Sequence, residues 1–333
     1  MRAKHGIAAL ILATFTIAGS AYGQLHAARD SGATGYPERP LRVIVPFAAG
    51  GAVDIIARLI GQGLNDNWGR PVVVDNRGGG GGTIGMHLAA RAAPDGHTMV
   101  LGSIGSVAFV PALYSKLPYD PHKDLSPISL VATQPFVMTA HPSLPAGSIK
   151  EFIALAKSRP NEIRYGSGGS GGSSHLGTEL LQLMTGISLV HVPYKGLAPA
   201  ITAQLSGEIH VQLVGAALVL PHIKSGKLKA LALSGAKRSR VVPELPTISE
   251  AGVPGYEFDV WYGLLFPARP PRAILKKANE EIVRLLKSPA LEERFASMGL
   301  EPLGSSPEEF AARIEREIPM WAKIVKAAGI RVE

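Results

Sequence analysis

The chain has 333 residues, 46% hydrophobic and 18% charged, enough apolar material for about two packed domains and too much for a disordered chain. It has no cysteine, which excludes disulfide frameworks, thiolate metal sites, iron–sulfur clusters and cysteine nucleophiles. The formal net charge is +8, but the basic residues are scattered, densest only at Lys237-Arg238 and Lys276-Lys277, and aromatics are 6%; this argues against a nucleic-acid partner and suits a small anion.

The chain opens with Arg2 and Lys4, an apolar run from Ile7 to Ile17, and Ala21-Tyr22-Gly23. This pattern predicts a secretory signal peptide over residues 1–23, cut after about Gly23. The run is too short to span a bilayer. The expected product is a free periplasmic protein.

From Tyr36 the pattern is strand, Gly-rich turn, helix, repeated. Leu41 to Val45 reads as a strand, and Val53, Ile56, Ile60 and Leu64 recur at helical spacing. Pro71 to Asp75 is a second strand, followed by the Asn76–Gly82 loop with five consecutive glycines. Ile84 to Ala92 reads as a helix and Thr98 to Leu101 as a third strand. Pro127 to Ala140 reads as one long strand, and Ile149, Phe152, Ile153 and Ala156 as a helical stripe. Strand Ile163–Tyr165, helix Leu176–Met184, strand Leu189–Val192, helix Ala198–Leu205 and strands Ile209–Val214 and Leu228–Leu233 follow. The end is helical. Ser306-Pro307-Glu308-Glu309 is a capping box with proline at the first helical position, and Pro319 is expected to kink or interrupt that helix, with Trp321 and Ile324 packed inward. The alternation predicts an α/β fold with mostly parallel sheets flanked by helices.

Three glycine/serine loops follow strands and precede helices: Pro46–Gly51, Gly102–Ser106 and Gly166–Ser174. In open α/β sheets, ligands bind outside the carboxyl ends of the strands. Main-chain N–H groups and helix N-termini there favour an anion. Convergence of the three loops would make an anion pocket without a cationic side chain. His175, just past the third loop, is either a donor near the ligand or a cap for the loop itself.

Competing motifs fit less well. Gly166-x-Gly168-x-x-Gly171 matches the dinucleotide fingerprint, but no acid stands in Leu189–Pro193 to take the ribose. Gly168-x-Ser170-x-Gly172 matches a nucleophile elbow, but Asp259 comes after the last histidine, His222, so the acid-then-histidine order fails for aspartate. An exported serine hydrolase using Ser170 is the alternative carried forward. The ten histidines show no paired spacing for a metal, so no metal and no cofactor is expected.

Segments in fixed order then match a family. They are Tyr36-Pro-x-Arg-Pro40, Val45-Pro-Phe-Ala-Ala-Gly-Gly-x-x-Asp54, Asn76-Arg77 with its glycines, Leu117-Pro-Tyr-Asp120, His191-Val-Pro-Tyr-Lys-Gly196, Pro221 to Ala232, Pro246-Thr247 and Pro254-Gly-Tyr256. Together they resemble the Bug-type extracytoplasmic solute receptors of the tripartite tricarboxylate transporter family. The resemblance implies a two-lobed periplasmic-binding-protein (Venus flytrap) fold. One lobe would be 36–134 plus 236–333 and the other 135–235, with the ligand cleft between them. It implies a receptor for a small organic carboxylate, with no catalysis and no cofactor. The implied partners are two membrane transporter subunits or a sensor kinase; nothing demands more than a monomer. Two pincer loops would hold the anion: Phe47, Ala48, Gly50, Gly51 and Asp54 from the first, and Ser167, Gly168, Ser170, Ser173 and His175 from the second. Ser103 and Ser106 would form a third wall. The chain departs from the family pattern at Val107, Val110 and Val214-Gly215, where relatives often carry polar groups. These changes predict a less polar distal pocket that suits an apolar or aromatic carboxylate.

Overall fold

A computed structural model describes residues 35–114, 116–240 and 242–330; the proposed signal segment lies outside them. Strands β1 (Leu41–Val45), β2 (Val72–Asn76), β3 (Thr98–Ser103) and β4 (Leu125–Gln134) alternate with helices α1 (Ala52–Trp68), α2 (Thr83–Ala90) and the short α3 (Val110–Leu113). A second set follows: β5 (Phe136–Ala140), α4 (Ile149–Ser158), β6 (Arg164–Ser167), α5 (Ser173–Thr185), β7 (Val190–Pro193), α6 (Leu197–Leu205), β8 (Val211–Gly215), α7 (Ala216–Lys224) and β9 (Lys229–Leu233). The chain then gives β10 (Val260–Pro267), α8 (Arg272–Leu286), α9 (Pro289–Ser297), β11 (Glu301–Pro302) and α10 (Pro307–Ala327).

The strands form two sheets, ordered β11-β4-β10-β3-β1-β2 and β7-β6-β8-β5-β9. Each sheet is mixed rather than mostly parallel. β1 pairs in parallel with β2 and β3, and β6 with β7 and β8. The antiparallel pairs all involve strands next to the two crossings between sheets. β5 follows β4 after a single residue and has no crossover helix to turn it, so it runs antiparallel to β8 and β9. β10 returns from the second sheet and inserts antiparallel between β3 and β4.

The expected single strand Pro127–Ala140 is two strands in two sheets, broken at Pro135. Proline has no N–H for a ladder, so it marks the place where pairing changes hands. The two sheets meet in an aromatic cluster. Phe258, in the returning segment, lies 6.5 Å from Phe109 and 5.9 Å from Phe136 between ring centroids, and Trp321 of α10 meets Phe109 edge-on at 4.9 Å. The capping box at Ser306 and Glu309 is present, and Trp321 and Ile324 are buried. α10 is not interrupted: it runs through Pro319. Among the described residues, no helix is long and apolar enough to cross a membrane.

Candidate functional site

The loop after β1 turns on Asp54, in the first turn of α1 and 3% exposed. Its carboxylate accepts the Gly50 N–H at 2.9 Å, the Asn76 amide at 3.0 Å and the Arg58 guanidinium at 3.1 Å. Burial opposes the charge, but the bonds from Arg58, Gly50 and Asn76 outweigh it and hold the carboxyl below its ordinary value. Asn76 also donates to the Phe47 carbonyl at 3.2 Å, so it clips both ends of the loop. Asp54, expected to touch ligand, gives its side chain to the loop. Ala48, Gly50 and Gly51 stand exposed on it, and the Phe47 ring is half-buried.

The glycine run has a structural role here. A Cβ on Gly78 would lie 3.2 Å from the Ala48 nitrogen, and one on Gly82 would lie 3.0 Å from the Ser106 Cβ and 3.4 Å from the Phe47 ring. The run passes directly against the first loop, and only glycine permits that approach with the positive φ of 101° at Gly82.

The third wall turns its hydroxyls inward. Ser106 is fully buried; its Oγ accepts the Ser103 N–H at 3.1 Å and donates to the Ser103 carbonyl at 3.3 Å. Tyr119 donates to the Ser106 carbonyl at 2.8 Å. The wall's outer surface comes from Phe109, Val110, Leu113 and Tyr114. Of the departures named above, only Val110 reaches this surface. Val107 and Val214 are fully buried in the core, and Gly215 packs against Gln134. They therefore say nothing about polarity in the cleft.

The loop after β6 spends most of its inner donors on itself. Gly168 N–H donates to Ser174 Oγ at 3.1 Å, Gly169 N–H to Ser167 Oγ at 3.2 Å and Gly171 N–H to His175 Nδ1 at 3.0 Å. Ser167 and His175 are buried and hold the loop from behind. Among the described residues, no protein acceptor takes the main-chain N–H of Ser170, Ser173 or Ser174. Those of Ser173 and Ser174 open α5, whose first turn carries no acidic residue and whose N-cap Gly172 makes no side-chain bond. By contrast, α1 already holds the Asp54 carboxylate in its first turn.

The loops oppose each other across a cavity of about 230 Å³. Phe47, Gly81, Gly105, Phe109, Val110, Leu113 and Tyr114 line it from one side and Ser170 to Ser173 from the other, and none of these side chains is charged. Of the residues singled out from sequence, Phe47, Ser170 and Ser173 meet there. Asp54, Ser103, Ser106, Ser167 and His175 stand behind it as loop supports. Phe109, Leu113 and Tyr114 were not anticipated, because short helical turns after a strand carry no periodic signal. Asn76 was visible as part of a motif but without a role. The Ser170 hydroxyl makes no bond to an imidazole among the described residues; His191 pairs instead with the buried Ser167. No group of three or more His, Cys, Asp or Glu among the described residues could hold a metal ion.

Comparison with known proteins agrees with this architecture. Protein BugT of Bordetella pertussis is 37% identical over 299 residues, covering 90% of this chain and 92% of its own. The solved structure of R. palustris Rpa4515 with adipate is 36% identical at a TM-score of 0.74, covering 89% of this chain and 99% of that one. MatC from Rhodopseudomonas palustris with bound malate is 32% identical at a TM-score of 0.70, covering 87% and 100%. The family described as "Tripartite tricarboxylate transporter family receptor" matches residues 56–330. With that match over most of the chain, and relatives that align nearly end to end, the chain belongs to the tripartite tricarboxylate transporter receptor family.

Proposed function

We propose that this chain is an exported periplasmic receptor that closes two lobes, 36–134 plus 236–333 and 135–235, over one small carboxylate with an apolar body. The observation that carries this reading is the polarity of the cleft. Unpaired N–H groups at Ser170 and Ser173 sit on one side, and Phe47, Phe109, Val110, Leu113 and Tyr114 on the other. Main-chain donors and a helix N-terminus hold an anion without burying a cation that must be paired when the site is empty. That wall carries no charged side chain for a second charged end, and its one side-chain hydroxyl is that of Tyr114. Relatives with adipate and malate bound support the carboxylate class. The receptor carries out no chemistry on its ligand, and delivery to two membrane subunits or a sensor kinase is the role that fits a family of receptors.

The test is a thermal-shift and calorimetric panel of benzoate, hexanoate, adipate and malate. A ligand at one hundred times its Kd stabilises by about 2.7 kcal/mol. Benzoate or hexanoate is expected to bind more tightly than malate. Tight malate binding with no response to the apolar acids would overturn the assignment of ligand type, and no response to any carboxylate would overturn the class.

A further inference from the structure

Two imidazoles lie stacked behind the Ser167–His175 loop. The His175 and His191 rings are 3.8 Å apart and 17° from parallel, and the Tyr165 ring lies 4.8 Å from His191 and 6.2 Å from His175. Each histidine meets the loop through one nitrogen. His175 Nδ1 accepts the Gly171 N–H at 3.0 Å. An imidazole nitrogen accepts only when it carries no proton, which puts the His175 proton on Nε2, facing Glu179 at 3.7 Å. Ser167 Oγ receives the Gly169 N–H at 3.2 Å and lies 2.6 Å from His191 Nε2. The single hydroxyl proton of Ser167 has two acceptors in reach, His191 Nε2 and the Gly169 carbonyl at 3.2 Å, so this contact does not set the His191 tautomer.

We infer that His175 is a positioning residue for the ligand loop, and that it does this only as a neutral acceptor with its proton on Nε2. It draws the Gly171 N–H inward, beside the Gly169 N–H held by Ser167 Oγ, and leaves those of Ser170 and Ser173 facing the cleft. Protonated, His175 would present an N–H to the Gly171 N–H and the contact would break. The surroundings keep both imidazoles neutral. Burial, with the charge of His191 second, pushes His175 down to about 4, and burial does the same to His191. The titratable groups facing the pair are Tyr165 from β6 and Glu179 from α5. Glu179 is committed to the Tyr165 hydroxyl and the Gln182 amide, and burial pushes it up.

The loop's role in binding rests on the proposed function, but its shape can be tested without ligand. In nitrogen-15 NMR of the full chain, His175 is expected as the Nε2–H tautomer. On acidification the Gly171 amide should titrate with a midpoint near the value that burial imposes on His175. His175→Ala should raise Gly171 amide exchange about tenfold or more. His175→Gln, which offers an acceptor at any pH, should restore protection and abolish the titration. With hexanoate as the probe at pH 7, His175→Ala should weaken binding about tenfold, and His175→Gln should recover most of it. The opposite tautomer at His175, or a Gly171 amide indifferent to His175→Ala, would overturn the inference. Failure of hexanoate to bind wild type would count only against the proposed function.

Discussion

Gly51 has an ordinary extended conformation, φ −82° and ψ 170°, and an added Cβ would meet nothing closer than the Ala48 carbonyl at 3.8 Å. Valine therefore fits the free protein, and what it removes is close approach of a ligand to the loop. Gly51→Val is expected to leave the melting temperature of the free protein unchanged while weakening binding of the best probe about tenfold, or about 1.4 kcal/mol, by calorimetry. Unchanged affinity would exclude the first loop as a pincer. The residue scale is also where sequence reading was weakest. Serine-rich loops signalled a site, yet a serine hydroxyl reaches inward as readily as outward. Ser106 and Ser167 turned inward and Ser170 outward for reasons set by backbone geometry. The same holds for Val107 and Val110: one is fully buried in the core and the other lines the cleft. On the proposed function, Val110 is where added polarity would reach the ligand. Val110→Asn is expected to shift preference in the ligand panel from benzoate towards malate.

At the scale of elements, most of the β–loop–α succession was legible, because apolar periodicity and glycine punctuation are local signals. The crossings were not. Nothing near Pro135 in sequence says that the strands on either side join different sheets, since the partners of β5 lie in β8 and β9. Nor does local pattern say that β10 returns to the centre of the first sheet. That return carries a buried carboxyl. Asp259 precedes β10, lies against Gly235 and is 3.9 Å from Arg313. Burial raises it to about 6; Arg313 opposes the rise, while Glu257, Glu317 and Glu301 add to it. In the unfolded chain the group ionises near its ordinary 3.8. The folded state therefore binds the proton more tightly. Its contribution to stability is present below that value and is lost as pH rises through about 6. Asp259→Asn keeps the shape and removes the charge. It is expected to raise stability at pH 8 by on the order of 1–2 kcal/mol, a gain of roughly 3–6 °C in Tm, that disappears near pH 4. An equal gain at both pH values would show that packing, not ionisation, is responsible.

At the scale of the molecule, the cleft is built where the two halves of the chain face each other, so its capacity depends on how the sheets are held. The aromatic contact of Phe258 with Phe136 ties the halves together behind the cleft, with Phe109 packed on Phe258 from its own half. On the proposed function, a molecule anchored at the back and open at the front would close by rotation about the crossings at Pro135 and at residues 234–259. Closure would bring the free donors at Ser170 and Ser173 toward the Phe47 and Val110 wall and exclude water from both. The chain has no cysteine, so two introduced labels report distance without background. Ile84, 57% exposed beside the glycine run, and Lys195, exposed next to the Gly168 segment, stand on opposite sides of the opening. With spin labels at Ile84→Cys and Lys195→Cys, saturating benzoate or hexanoate is expected to shorten and narrow the distance distribution. Phe258→Ala loosens the anchor, so it should broaden the unliganded distribution while leaving the loop donors in place. If a ligand that binds tightly by calorimetry leaves the distance unchanged, the cleft binds as a preformed pocket, and closure is not how this receptor signals occupancy.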